Sequence, residues 1–270
     1  MQLERSDFVA IRKVVLAESG IVLADGKEYL VEARLRPLCE RRGIGSFGEL
    51  ARALGGSNRS LIGDVVNAMT TNETYFFRDP PLWDSIRGTV LPELIERRRA
   101  ERQLRIWSAA SSSGQEAYSL ALLLHDRFPE VMDWDVKILA TDISETMLDR
   151  VRSGAYSSQE IGRGLPVDLR DRYFDRRGDA WQARSSLVGM IETRRMNLVE
   201  PFPPLPQMDF VLIRNVMIYF DPETKERIIA GAERVLRPDG YLTLGSSEAI
   251  GRSSLDLSRI DGATFYRHAS

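Results

Sequence analysis

The chain has 270 residues, 43% hydrophobic and 28% charged, ordinary proportions for a soluble globular protein. A formal net charge of −2 argues against a nucleic-acid partner, and a single cysteine (Cys39) excludes an internal disulfide framework and fits a reducing compartment; two histidines (His125, His268) cannot build a His-rich metal site, so no metal is expected. No signal-peptide pattern opens the chain and no apolar run approaches the roughly 18 residues of a membrane span, so a cytoplasmic protein without direct membrane insertion is expected.

Residues 1–70 read as a helical N-terminal domain. Phe8, Ile11, Val14 and Val15 recur at helical spacing. Residues 27–42 place Leu30, Val31, Leu35 and Leu38 along an apolar stripe, with Arg34, Arg36, Arg41 and Arg42 on the other faces and Pro37 expected to bend the helix. Gly43, Gly45, Gly55 and Gly56 punctuate the helices. A longer helix over 82–101 forms a linker region at 71–101, and its run Arg97, Arg98, Arg99 and Arg102 reads as one solvated face.

From 102 to 270 the pattern alternates. Strands are expected at 104–109, 136–141, 208–214, 240–246 and 263–267, and helices at 114–127, 144–153 and 222–236. Such alternation predicts an α/β fold, a mostly parallel sheet with helices on both faces. Asp239-Gly240 marks a turn before a late strand where an antiparallel pair fits. Between 162 and 196 the rhythm breaks into short alternating runs around Gly178 and Gly189, read as a small inserted β-subdomain.

The segment 105–142 runs apolar strand, small-residue loop, helix, second strand, acid, the front half of a nucleotide-binding unit. Its loop, 109–114, is AASSSG and lacks two of the three glycines of GxGxxG. An adenosine ligand without a pyrophosphate fits it better, and S-adenosylmethionine is the commonest. Asp142, at the tip of the second strand, either accepts the ribose hydroxyls or caps the next helix with Glu145. Glu116 either pairs with the ligand's α-amino group or forms a capping box with Ser113. Residues 72–79 are polar and aromatic together, which suits a cleft wall. Arg78 either grips a carboxylate or lies solvated beside Phe76 and Phe77. In 209–220 a buried strand gives way to Arg214-Asn215, at the position where open α/β sheets bind ligands. Tyr219 follows, with a core aromatic as its other reading, and Asn197-Leu198 gives a weaker signal. The arginines at 34–42 suit docking to an acidic helical partner or a solvated face.

MTTNETYFFRD at 69–79, RIWSAASSSGQEAYSLA at 105–121, ATDISETMLDRVRSGAYS at 140–157, MNL at 196–198, DFVLIRNVMIYFD at 209–221 and GYLTLGSSE at 240–248 occur in one order along essentially the whole chain. Together they resemble the chemotaxis receptor glutamate O-methyltransferases, the CheR family. The resemblance implies a Rossmann-like class I methyltransferase sheet, a helical N-terminal domain and an inserted β-subdomain. It implies methyl transfer from S-adenosylmethionine to glutamates in the cytoplasmic signalling region of chemoreceptors, with S-adenosylhomocysteine as product. By motif position Asn72, Thr74, Arg78, Glu116, Asp142, Asn197, Leu198, Arg214 and Asn215 would line the cofactor site. Arg78 and Tyr219 would lie nearest the methyl, and Arg34, Arg36, Arg41 and Arg42 would dock the receptor. Some members grip a receptor C-terminal pentapeptide with the β-subdomain. Here residues 174–197 look shorter and lack the Gly-rich loop, so the resemblance does not carry that tether. A monomer is expected. The alternatives are a methyltransferase of the same fold acting on another protein or on nucleic acid, and a non-catalytic cofactor-binding docking module.

Overall fold

Helix-forming and strand-forming segments separate along the chain into two compact units in a computed structural model that describes residues 1–56 and 58–269. Met1–Thr71 with Tyr219–Thr224 form one unit; Asn72–Ile218 with Lys225–Ser270 form the other.

The first unit contains α1 (Arg5–Ser19), α2 (Glu28–Arg42), α3 (Phe47–Leu54) and α4 (Arg59–Met69). Phe8, Ile11, Val15, Val31, Leu35, Leu38, Phe47, Leu50 and Val65 bury their side chains in one core. Local chemistry sets the helix ends. The Ser46 hydroxyl accepts the Glu49 N–H at 3.1 Å, the Asn58 side chain accepts the Leu61 N–H at 3.1 Å, and Gly20 and Gly43 close α1 and α2 in left-handed conformation. Pro37 lies inside α2 without ending it.

The second unit opens with α5 (Pro80–Ser85), a π-helical turn (Ile86–Val90) and α6 (Leu91–Arg98). The single helix expected over 82–101 is therefore interrupted. Pro92 has no N–H to give the preceding turn, and the Leu91 N–H bonds instead to the Ile86 carbonyl, the wide spacing of a π turn. There follow β1 (Gln103–Ala109), α7 (Gln115–Arg127), β2 (Asp135–Asp142), α8 (Glu145–Ser153), β3 (Ala155–Ser157), α9 (Ser158–Ile161), α10 (Val167–Tyr173), β4 (Phe174–Arg177), β5 (Ala180–Ala183), α11 (Ser185–Val188), β6 (Ile191–Arg195), β7 (Met208–Ile213), α12 (Pro222–Val235), β8 (Leu236–Leu244), β9 (Leu255–Ile260) and β10 (Ala263–His268).

Seven strands form one sheet in the order β6-β2-β1-β7-β8-β10-β9, and β3-β5-β4 form a separate three-stranded sheet. The pairs from β6 through β8 are parallel, while β10 runs antiparallel to both β8 and β9. The small sheet begins earlier than the expected insertion, at Ala155, and Ile191–Arg195 leaves it to become the parallel edge of the main sheet. Ile106, Ile138, Phe210 and Leu212 from the central strands pack with Tyr118, Tyr156, Phe174 and Tyr241 in a continuous core.

The arginine run at 97–102 is not one solvated face. Arg98 is buried, its Nε beside Asp209 and its two terminal nitrogens on Asp239. The carboxylate of Asp209, fully buried, also accepts the Arg105 N–H at 2.7 Å. Two acids from β7 and β8 hold the Arg98 pKa above its ordinary value, with the Asp239 hydrogen bond as the largest cause.

Candidate cofactor-binding site

The chain order places β2 and β6 on one side of β1, and β7 and β8 on the other, so the sheet changes direction between β1 and β7. Ligands of open α/β sheets bind at the carboxyl ends of the strands beside such a switch. Register brings those ends level: Ala109 pairs with both Thr141 and Ile213, Asp142 with Arg195, and Ile213 with Leu244.

The loop after β1 turns tightly without the usual glycines. Ala110, Ser112 and Gly114 are left-handed, with φ of 51°, 51° and 93°. Only Gly114 is free of a Cβ penalty there, and a Cβ on it would meet Val151 at 2.9 Å. Backbone bonds from the two serines after Ala110 hold the loop. The Ser111 N–H donates to the Thr141 carbonyl at 2.8 Å, and the Ser112 N–H donates to Asp142 Oδ2 at 2.8 Å. Asp142 Oδ1 accepts the Ser144 N–H at 2.9 Å. The helix cap itself is Ser144, which accepts from Met147, so Asp142 and Glu145 do not form the alternative capping box. Asp142 is buried, and burial raises its pKa against the lowering effect of the Ser144, Ser112 and Ile143 N–H groups. Met196 donates its N–H to the Asp142 carbonyl at 2.9 Å, which seats Asn197 and the buried Leu198 beside the tip of β2. The Asn197 amide also bonds Glu200 at 3.1 Å.

Arg214 is the hub on the other side of the switch. Its side chain is 3% exposed and bonds Glu116 Oε2 at 2.8 Å, the Arg78 carbonyl at 3.1 Å and the Asp79 carboxylate. Glu116 also accepts the Ser108 hydroxyl at 2.7 Å. The cap of α7 is Gly114 with no side-chain bond, so the Ser113–Glu116 capping box does not form. Asn215 is left-handed, φ 57°, and its N–H donates to Glu248 Oε2 at 2.8 Å.

Residues 72–79 close the same region. The Asn72 carbonyl accepts the Ser112 hydroxyl at 2.8 Å, and the Phe77 N–H donates to the Ser119 hydroxyl at 3.0 Å. Thr74 is half-buried. Phe76 is fully buried against Tyr156 and Phe174, while Phe77 and Asp79 adopt positive φ. The Arg78 guanidinium donates to the Glu73 carbonyl at 3.1 Å and lies 5.6 Å from the Tyr75 ring centre; it pairs with no carboxylate among the described residues.

Tyr219 belongs to the helical unit, half-buried, and its carbonyl accepts the Val22 N–H at 2.9 Å. In that unit Arg34 bonds the Met69 and Thr70 carbonyls at 2.6 and 3.0 Å and the Thr71 hydroxyl at 2.9 Å, finishing the carbonyls at the end of α4. Arg36 pairs with Glu32, and Arg42 pairs with Asp64. Arg41 is exposed and makes no hydrogen bond or ion pair among the described residues.

Asp79, Ser111 and Glu248, which the sequence reading did not single out, join the network. Glu248 follows the tip of β8 much as Asp142 ends β2, and that shared position is the signal that could have found it. Among the described residues three buried side-chain polar atoms have no hydrogen-bond partner, and two of them, Ser111 Oγ and Arg214 Nε, lie at this switch. One follows β1 and the other β7, beside a buried carboxylate at the tip of β2. A ligand carrying both hydrogen-bond acceptors and a diol, as S-adenosylmethionine does, fits that donor set.

Residues 72–265 match the family description "CheR methyltransferase, SAM binding domain", and residues 6–70 match "CheR methyltransferase, all-alpha domain". The chain is 41% identical over 255 residues to chemotaxis protein methyltransferase 1 of Pseudomonas aeruginosa, covering 93% of this chain and 92% of that one. It is 40% identical to chemotaxis protein methyltransferase Cher2 of Pseudomonas putida, over 90% of each chain. It is 39% identical to chemotaxis protein methyltransferase 1 of Vibrio cholerae, over 87% and 86%. The chain belongs to the CheR methyltransferase family.

Proposed function

We propose that this protein acts in the cytoplasm, transferring the methyl group of S-adenosylmethionine to glutamate side chains in the signalling region of chemoreceptors. The products are glutamate methyl esters and S-adenosylhomocysteine. The observation that carries the reading is the buried Asp142 carboxylate, locked to the strained loop after β1, in a chain of the CheR family.

S-adenosylmethionine brings an electrophilic methyl on a sulfonium. Asp142 would hold its ribose diol, and Asn197 and Leu198 would flank the adenine side. Glu116, Arg214, Asn215, Asn72 and Thr74 would hold the amino-acid end. A glutamate has a pKa of about 4.3 and is already ionised at neutral pH, so the acceptor needs no general base. The protein's work is alignment and exclusion of water. Alignment alone can lower a barrier by about 7–11 kcal/mol. Opposite charges are neutralised as the reaction proceeds, which favours a dry site. Arg78 steers the incoming carboxylate; its guanidinium forms no ion pair among the described residues, and its fork geometry suits a carboxylate. Tyr219 holds that carboxylate or packs beside the sulfonium, a role supported by its place in DFVLIRNVMIYFD. Arg34, Arg36, Arg41 and Arg42 are assigned to receptor docking on the same ground.

The test is labelled cofactor with receptor-containing membranes. Base-labile methyl release is the expected outcome. Base-stable N-methyl products would replace this reading with a different acceptor, and cofactor binding without turnover would make the protein a docking module. Arg78→Ala should lower kcat more than it lowers affinity for S-adenosylhomocysteine. Equal losses would make Arg78 a cofactor ligand only.

A further inference from the structure

We propose that Glu248 is a positioning residue for methyl transfer, tying the loop after β7, which delivers Arg214 and Asn215 to the cofactor cleft, to the loop after β8. This rests on the reading of the site given above.

Strands β7 and β8 end level, with Ile213 opposite Leu244, so their following loops leave the sheet side by side at Arg214 and Gly245. Backbone N–H groups at such tips have lost their ladder partners and must find others. One carboxylate collects three of them. Glu248 Oε2 accepts the Asn215 N–H at 2.8 Å and the Gly245 N–H at 2.7 Å, and Oε1 accepts the Ile218 N–H at 3.3 Å. The Glu248 N–H returns to the Gly245 carbonyl at 2.9 Å, closing the turn that presents its own side chain.

Two further features depend on this clasp. Asn215 is left-handed, φ 57°, a conformation that Asn adopts more readily than most non-glycine residues and that the bond from its N–H to Glu248 fixes here. Gly245 has no room for a side chain: a Cβ there would lie 2.6 Å from Glu248 Oε2 and 2.8 Å from Asn215 Nδ2. Glu248 also shares a cleft of about 370 Å³ with Asp79, the acid that holds Arg214. The left-handed backbone, the missing side chain and the shared wall all turn on one carboxylate. Glu248 thus acts through Asn215 and Arg214.

The experiment compares wild type, Glu248→Ala, Glu248→Gln and Gly245→Ala in the full chain. It uses calorimetric titration with S-adenosylhomocysteine, kcat on receptor membranes, and amide hydrogen exchange of the cofactor-free protein. Glu248→Ala should bind about tenfold more weakly or worse, since it removes three charge-assisted hydrogen bonds. Its exchange should quicken locally at Asn215, Ile218 and Gly245. Glu248→Gln keeps one oxygen for the Asn215 and Gly245 pair and should recover most of the affinity and protection. Gly245→Ala should reproduce the loss with the carboxylate still present. A folded Glu248→Ala protein with wild-type affinity, kcat and exchange overturns the proposal, as does an equal loss in Glu248→Gln and Glu248→Ala. Wild-type protein that binds no S-adenosylhomocysteine sinks the cofactor reading and this proposal together. Wild type that binds while Glu248→Ala binds equally well sinks this proposal alone.

Discussion

At Asp142 burial and hydrogen bonding pull in opposite directions. Burial raises its pKa from 3.8, and the N–H groups of Ser144, Ser112 and Ile143 pull it down without cancelling the rise. A carboxyl that keeps its proton longer in the folded state adds most to stability at acid pH. That contribution is lost as pH rises from 3.8 through the raised value, so the ionised group is a cost at neutral pH. The return is a fixed, charged acceptor whose remaining lone pairs suit a diol. Cofactor affinity should therefore be flat near neutrality and fall on acidification, starting above the ordinary carboxylate range. Asp142→Asn should bind S-adenosylhomocysteine roughly 10- to 100-fold more weakly and lose that pH dependence. Calorimetry across mildly acid pH checks both, and an unchanged affinity in the variant would take Asp142 out of the site. Asp142 and Arg214 were legible in the sequence because a polar side chain at the end of an apolar strand has few structural excuses. The partners of Arg214 were not. Asp79 and Glu116 lie 135 and 98 residues away along the chain, and no local pattern announces such a pairing.

Among the elements, the 72–79 segment shows how a loop can be made rigid by what it lies against. Gly164 approaches it so closely that a Cβ would sit 2.0 Å from the Phe76 carbonyl oxygen, and its φ is +85°. The clash is with backbone, so nothing flexible can give way. Gly164→Ala should destabilise the second unit by about 1–3 kcal/mol and weaken S-adenosylhomocysteine binding, because Asn72 and Arg78 ride on that segment. A urea midpoint and a binding titration measure the two effects; wild-type values in both would show the segment is held elsewhere. A second element-scale test concerns α6. Asp209→Ala leaves Arg98 buried without one of its two acids and should cost about 3–5 kcal/mol in urea unfolding, far more than an exposed pair. The central strands and the helices after β1 and β2 were readable because their apolar runs are long and their faces consistent. Strand β6, with sequence IETRR, was not read as part of the main sheet. It is a sheet edge whose residues are exposed or half-buried, and only its parallel pairing with β2 defines it. Strand β9 is another edge, where the short alternation of Leu255 to Ser258 does not match burial, because Leu255 is buried and Leu257 faces solvent.

For the molecule as a whole, the near balance of 37 basic and 39 acidic side chains does not say which charges are available to a partner. Hydrogen bonds to backbone carbonyls engage Arg34, and ion pairs engage Arg36 and Arg42, three of the four candidate docking arginines. Arg34 is bound to the carbonyls that end α4, so reversing its charge would damage the helical unit before it tested any docking. Arg36 and Arg42 each face an acid, and changing them leaves Glu32 or Asp64 unpaired. Among the described residues Arg41 alone of the four makes no hydrogen bond or ion pair that a change would break, and the helical stripe visible in the sequence could not separate it from the other three. Arg41→Glu should therefore lower the methylation rate on receptor membranes by up to about tenfold at low ionic strength, through slower association with an acidic helical partner. Affinity for S-adenosylhomocysteine and the unfolding midpoint should stay at wild-type values. Salt supplies the internal control. The Debye length shrinks from about 30 Å at 0.01 M to about 10 Å at 0.1 M, so the gap between variant and wild type should close as salt is added. A variant equal to wild type at every salt concentration would move the docking surface off α2. A gap that persists unchanged at high salt would mean that Arg41 acts through a desolvated contact within the complex, with long-range attraction playing little part.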